Sequence, residues 1–191
     1  NSNPANPIIN VRSFGEDPEQ VARLANAWIQ GARSAGLQTA GKHFPGHGDT
    51  EVDSHLGLAT ISGDLNRLAA VELLPFRQAI NGGMDGVLAG HIAVPAIDGA
   101  GAGPATLSPG VIQNLLRAQM GFDGFVITDA FNMGAITERY SIEEASVQAL
   151  LAGVDVLLQP PGTASVIDAV VEAVRSGRLP QERLDSAARR M

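Results

Sequence analysis

Apolar positions along this chain alternate between two spacings. The stretch "EDPEQVARLANAWIQGARSAG" has acidic residues and Pro18 where a first helical turn would lie, apolar residues at helical spacing, and Gly36 at its end. A short apolar run, "LQTAG", follows and delivers Lys42 and His43. The order then recurs. "DLNRLAAVELLPFRQAINGG" predicts a helix capped by Asp64, kinked or split by Pro75, and leads into "DGVLAG" and His91. "SPGVIQNLLRAQMG" offers Ser108 as N-cap and Pro109 as first helical residue before "FDGFVIT" and Asp129. "SIEEASVQALLAG" repeats the pattern into "VDVLLQ".

Short, continuously apolar strands alternating with glycine-ended helices predict an α/β fold with a parallel sheet covered on both faces. An open doubly wound sheet and a (β/α)8 TIM-type barrel both fit. Lys42 with His43, His91 and Asp129 each fall at the C-terminal end of a different strand, and a barrel gathers all such ends around one mouth. An open sheet would bring together only those at its switch point. The barrel is therefore the expectation, present as about four to five βα units, with the early strands missing and the last one short of full definition. "NPIIN" reads as the tail of an earlier strand whose loop, "VRSFGEDP", puts Arg12 on the same rim.

Composition narrows the partners. The 191 residues suit a single domain or part of one, 45% are apolar and 17% charged, and no low-complexity run interrupts them. A net charge of −7 with scattered Lys and Arg argues against nucleic acid or an anionic membrane surface. No run of about 18 apolar residues offers a membrane-spanning segment. Without cysteine there is neither a disulfide framework nor a thiolate metal site. The chain opens without an initiator Met and reads as a piece of something longer, so localisation is left open.

Chemistry concentrates in "KHFPGHGDTEVDSH", residues 42 to 55, which holds three of the four histidines on a stretch that glycines and a proline keep out of a helix. Asp129 is either a cap for the following helix or a functional carboxylate, and a barrel rim favours the second. His43 is either a satisfied core histidine or, with Lys42 beside it, a ligand contact. His91 is balanced between the same two readings, and His47 is expected to shape the loop. In "DSH" an extended backbone would aim Asp53 and His55 to one side. A carboxylate beside an imidazole fixes the ring's tautomer and favours its protonated form, as a general acid requires; an exposed, unrelated pair is the plain alternative. Metal binding is the rival chemistry, but "HFPGH" cannot present its histidines on one helical face. No metal is expected.

Two segments carry a family resemblance. "LLRAQMGFDGFVITDAFNMGAI" and "GKHFPGHGDTEVDSH" resemble family-3 glycoside hydrolases, in the β-N-acetylglucosaminidase branch, over essentially the whole chain. The resemblance implies that residues 1–191 form part of one N-terminal catalytic barrel domain. It implies Asp129 as nucleophile and His55 as acid/base with Asp53 as its partner. It also implies that Arg12, Lys42 and His43 hold the hydroxyls of the sugar, with His91 and Met133 as further substrate contacts. Retaining hydrolysis of terminal, non-reducing β-linked N-acetylglucosamine follows, from peptidoglycan- or chitin-derived fragments and without a cofactor. A β-glucosidase-like enzyme and a phosphorylase of the same family are the nearest alternatives. A non-catalytic sugar-binding relative and a metal-dependent barrel hydrolase are the more distant ones. The acidic residue that grips the outer hydroxyls in the family is expected to lie outside these residues.

Overall fold

A computed structural model describes residues 2–191. Helix α1 (Pro18–Ser34) begins as its sequence dictates: Asp17 caps it, accepting the Gln20 N–H at 2.7 Å, and Pro18 occupies the first turn. It leads into strand β1 (Ala40–Phe44), and after a loop comes a short strand β2 (Ala59–Thr60). The next helix runs in three pieces, α2 (Leu65–Arg67), a π-helical turn Leu68–Glu72, and α3 (Leu73–Asn81). Asp64 caps the first piece by accepting the Arg67 N–H. Pro75 thus splits the helix in its own way: the chain widens just upstream, where the Leu73 N–H reaches back to the Leu68 carbonyl. That widening accommodates a residue with no N–H and a bulky ring.

Strand β3 (Gly86–Ala89), strand β4 (Ile92–Ala93) and the short helix α4 (Pro95–Asp98) follow. A helix wound with the wider π pitch, Gly110–Gln119, buries Val111, Ile112, Leu115 and Leu116 and leads into strand β5 (Phe125–Thr128). The remainder is helical: α5 (Gly134–Thr137), α6 (Ile142–Ala152), α7 (Thr163–Arg175) and α8 (Gln181–Arg189).

Strands β1, β3 and β5 form one parallel sheet in that order, with Ala40 opposite Gly86 and Gly86 opposite Phe125. "VDVLLQ" takes the next position as a single parallel bridge, Ile127 to Val156, rather than as a full strand. Parallel neighbours separated by helices make this an α/β fold, part of a TIM-type barrel. Val87, Ala89 and Val126 are fully buried, as strands covered on both faces must be. Strands β2 and β4 pair separately, an element the apolar pattern did not predict because each is only two residues long.

Candidate active site

Asp129 directly follows β5, and its N–H donates to the Ala89 carbonyl at the end of β3. Its Oδ1 accepts the Ala130 N–H at 3.0 Å, and its Oδ2 lies 3.8 Å from His43 Nε2. Two adjacent strand ends thus place a carboxylate and an imidazole face to face. Burial pushes the His43 imidazole down to about 4, although the Asp129 charge works in the opposite direction. At neutral pH His43 is uncharged. No ion pair quenches the carboxylate from that side.

Lys42 and His43 are adjacent in β1, where a regular strand would turn them to opposite faces. Instead the ladder shifts between Lys42 and Phe44, and both residues border the same cavity together with Arg12. The Lys42–His43 and Phe44–Pro45 peptides are cis. The cavity, about 460 Å³, is bounded elsewhere by Val21, Ala25, Trp28, Ile29, Phe76 and Met84. These apolar walls follow the open side of β1. Asp129, Asp53 and His55 do not line it, so most of this volume is the unfilled flank of an edge strand rather than a sugar site.

The Asp53–His55 pair forms, but by other geometry than an extended chain. Asp53 Oδ1 accepts both the backbone N–H and the ring Nδ1–H of His55, each at 2.8 Å. The turn is closed by Leu56 and Gly57 N–H groups on the Asp53 carbonyl. Such an Asx-type turn brings the carboxylate closer to its i+2 partner than extended backbone would. Because a carboxylate only accepts, Nδ1 carries a proton and Nε2 is the ring's free position. The hydrogen bonds from His55 lower the Asp53 pKa in spite of desolvation, which acts to raise it. The His55 side chain is 58% exposed.

A main-chain hydrogen bond joins this turn to the loop that follows Asp129: the Gly134 N–H donates to the His55 carbonyl at 2.9 Å. A Cβ at position 134 would lie 2.8 Å from that carbonyl oxygen, so only glycine permits the approach.

His91, expected at the sugar, is fully buried, and both ring nitrogens are engaged by protein. Nε2 donates to the Ala130 carbonyl at 3.1 Å, which leaves Nδ1 to accept the Thr106 hydroxyl at 2.8 Å. It therefore steadies the peptide after Asp129 rather than reaching a ligand. Burial lowers its pKa. Met133 is 5% exposed at the start of α5. Sequence reasoning passed over Glu72, which is buried behind Gly46 with one carboxylate oxygen unpartnered among the described residues. Burial raises its pKa. Its only signal is a charged residue on an otherwise apolar helical face.

The strand ends and their side chains define a class: a parallel α/β barrel segment presenting a carboxylate, a lysine and imidazoles at the C-terminal rim, with a carboxylate–imidazole pair on a neighbouring loop. Comparison with known proteins narrows it. The glycosyl hydrolase family 3 N-terminal domain matches residues 1–191. Beta-hexosaminidase A of Pseudoalteromonas piscicida is 36% identical over 210 residues, covering 100% of this chain and 35% of its own length. The solved structure of a glycoside hydrolase family 3 beta-N-acetylglucosaminidase from Paenibacillus sp. str. FPU-7 superimposes with a TM-score of 0.95 at 44% identity, over 100% of this chain and 36% of that one. The beta-glucoside phosphorylase BglX gives 0.94 at 31% identity, over 99% of this chain and 35% of its own. The chain belongs to glycosyl hydrolase family 3. It spans only about a third of the length of each of these relatives.

Proposed function

We propose that this chain carries the catalytic face of a retaining exo-glycosidase that removes terminal β-linked N-acetylglucosamine. Asp129 Oδ2 attacks the anomeric carbon as the glycosidic C–O bond breaks, and the His55 Nε2–H protonates the departing oxygen. Water then attacks the glycosyl-enzyme while Nε2, now unprotonated, takes its proton, and the Asp129 carboxylate leaves. Asp53 holds Nδ1–H throughout, so both proton transfers run through Nε2. Arg12, Lys42 and His43 are assigned the hydroxyls of the sugar, and the 3.8 Å approach of His43 to Asp129 supports that assignment for His43. Peptidoglycan- or chitin-derived fragments are the substrates this chemistry fits.

The reading rests on one observation above the others: the Asp53–His55 turn is tied by the Gly134 N–H to the segment that carries Asp129. Its test is covalent trapping. A fluorinated glycosyl fluoride incubated with the full-length protein should add one sugar mass to the peptide containing Asp129. Asp129→Asn should escape labelling and lose roughly 10³-fold in turnover, since neither step has another route. Labelling of a different carboxylate would remove Asp129 from the role. Likeness to a beta-glucoside phosphorylase favours a second reading, in which phosphate replaces water. A neutral imidazole base leaves room for an anionic acceptor that a second carboxylate would repel. Phosphate-dependent release of the sugar 1-phosphate separates the two.

A further inference from the structure

The Asp53–His55 turn is closed by local hydrogen bonds, and nothing within it decides where it sits relative to Asp129. Two contacts from outside do. One is the Gly134 N–H on the His55 carbonyl. The other runs through Ser54, which lies between two partly exposed residues yet is itself 2% exposed. Its hydroxyl lies 3.0 Å from His47 Nε2.

His47 is equipped to hold that hydroxyl. It stands three residues beyond the end of β1 and is 3% exposed. Its Nδ1 lies 2.6 Å from Thr50 Oγ1. The Thr50 hydroxyl donates to the His47 carbonyl at 3.2 Å, so its oxygen accepts the ring's Nδ1–H and Nε2 must accept from Ser54. Asn6 completes the enclosure, donating to the His47 carbonyl at 2.6 Å and to Thr50 Oγ1 at 3.3 Å. At the outer edge of the loop, Arg67 pairs with Asp49 at 2.7 Å and with Glu72 at 3.4 Å. The loop therefore has a support that does not depend on His47.

We propose that His47 is a positioning residue: through Ser54 it fixes the Asp53–His55 pair at the height above Asp129 where His55 Nε2 meets the glycosidic oxygen. The inference rests on the acid/base reading of His55. A misplacement of about 1 Å can cost on the order of 100-fold in rate, and here the loss falls only on steps that need the imidazole. Such selectivity separates positioning from general damage to the fold.

The experiment is a leaving-group series on the full-length protein, measuring kcat/KM for N-acetylglucosaminides from alkyl to dinitrophenyl. Ser54→Ala, which removes a single oxygen, should lose about 10- to 100-fold on alkyl glycosides and less than about threefold on the dinitrophenyl glycoside. His47→Leu should show the same slope, and His47→Gln, which restores an acceptor for Ser54, should recover part of the loss. If His47→Leu does not fold, Ser54→Ala decides alone. Equal losses across the series, or none, overturn the proposal. His55→Ala in the same series separates the layers. A steep slope for His55→Ala beside a flat one for Ser54→Ala sinks the positioning role only. A flat slope for His55→Ala sinks the acid/base reading and the positioning role with it.

Discussion

His43, His47 and His91 are buried close to one carboxylate, and burial lowers the pKa of all three. The sign of the consequence follows from linkage. Above the ordinary value of 6.5 the rings are neutral in folded and unfolded chains alike, and they contribute nothing to pH dependence. As pH falls from 6.5 towards about 4, the unfolded chain binds a proton that folded His43 refuses, and stability is lost across that window. His43 alone accounts for about 2 kcal/mol by pH 5, and His47 and His91 act in the same direction. Urea denaturation of the full-length protein should show a lower midpoint at pH 5 than at pH 7.5, with a shallower drop in His43→Gln. An unchanged midpoint would mean that these rings are not buried neutral. Of these histidines the sequence identified His43 and His91 as rim residues from their strand-end positions. It could not separate His91 from a ligand contact, because its partners, Thr106 and Ala130, lie 15 and 39 residues away.

At the scale of elements, one buried carboxylate organises the end of the fold opposite the rim that carries Asp129. Asp155 has no exposed side-chain surface. It accepts from Arg117 and Arg183, each at 2.7 Å, and from the Val126 N–H at 2.9 Å. Arg190 approaches to 3.5 Å. The π-wound helix Gly110–Gln119, strand β5 and helix α8 meet at this residue. Removing the carboxylate leaves two largely buried guanidiniums without their counter-charge, so Asp155→Ala should destabilise by about 3–5 kcal/mol. Equilibrium denaturation measures it, and a loss below about 1 kcal/mol would show that the arginines find other partners. The sequence offered no hint, since "GVDVLLQ" reads as one more apolar strand. The helices were another matter. Asp64 and Ser108 each cap the helix expected of them, because a cap acts within three residues of itself.

For the molecule as a whole, the open side of β1 is the governing feature. Among the described residues β1 has a neighbour only on the β3 side, and its other flank borders the apolar cavity beneath α1, where Trp28 is 61% exposed. A parallel barrel strand left as an edge exposes unpaired backbone and an uncovered core face. Residues 1–191 expressed alone should therefore turn over an aryl N-acetylglucosaminide far more slowly than the full-length protein, and should aggregate readily. A folded, monomeric fragment with comparable turnover would show that the rim residues need no closed barrel to hold them.

Local chemistry settled what the sequence could settle alone. Helix starts and stops, the buried strands and the strand-end positions of His43 and Asp129 all depend on neighbours within a few residues. The motif "KHFPGHG" with "DSH", and the run around Asp129, were enough to place the chain in its family. Only the tertiary structure decided that the Asp53–His55 pair arises in an Asx-type turn, that Gly134 ties it to the segment carrying Asp129, that His47 grips Ser54, and that Asp155 gathers three arginines. Each of these partnerships beyond the turn itself spans from 7 to 79 residues of chain or meets around a buried polar atom. Periodicity carries no record of such contacts, because it reports which face a side chain takes and not what it meets there.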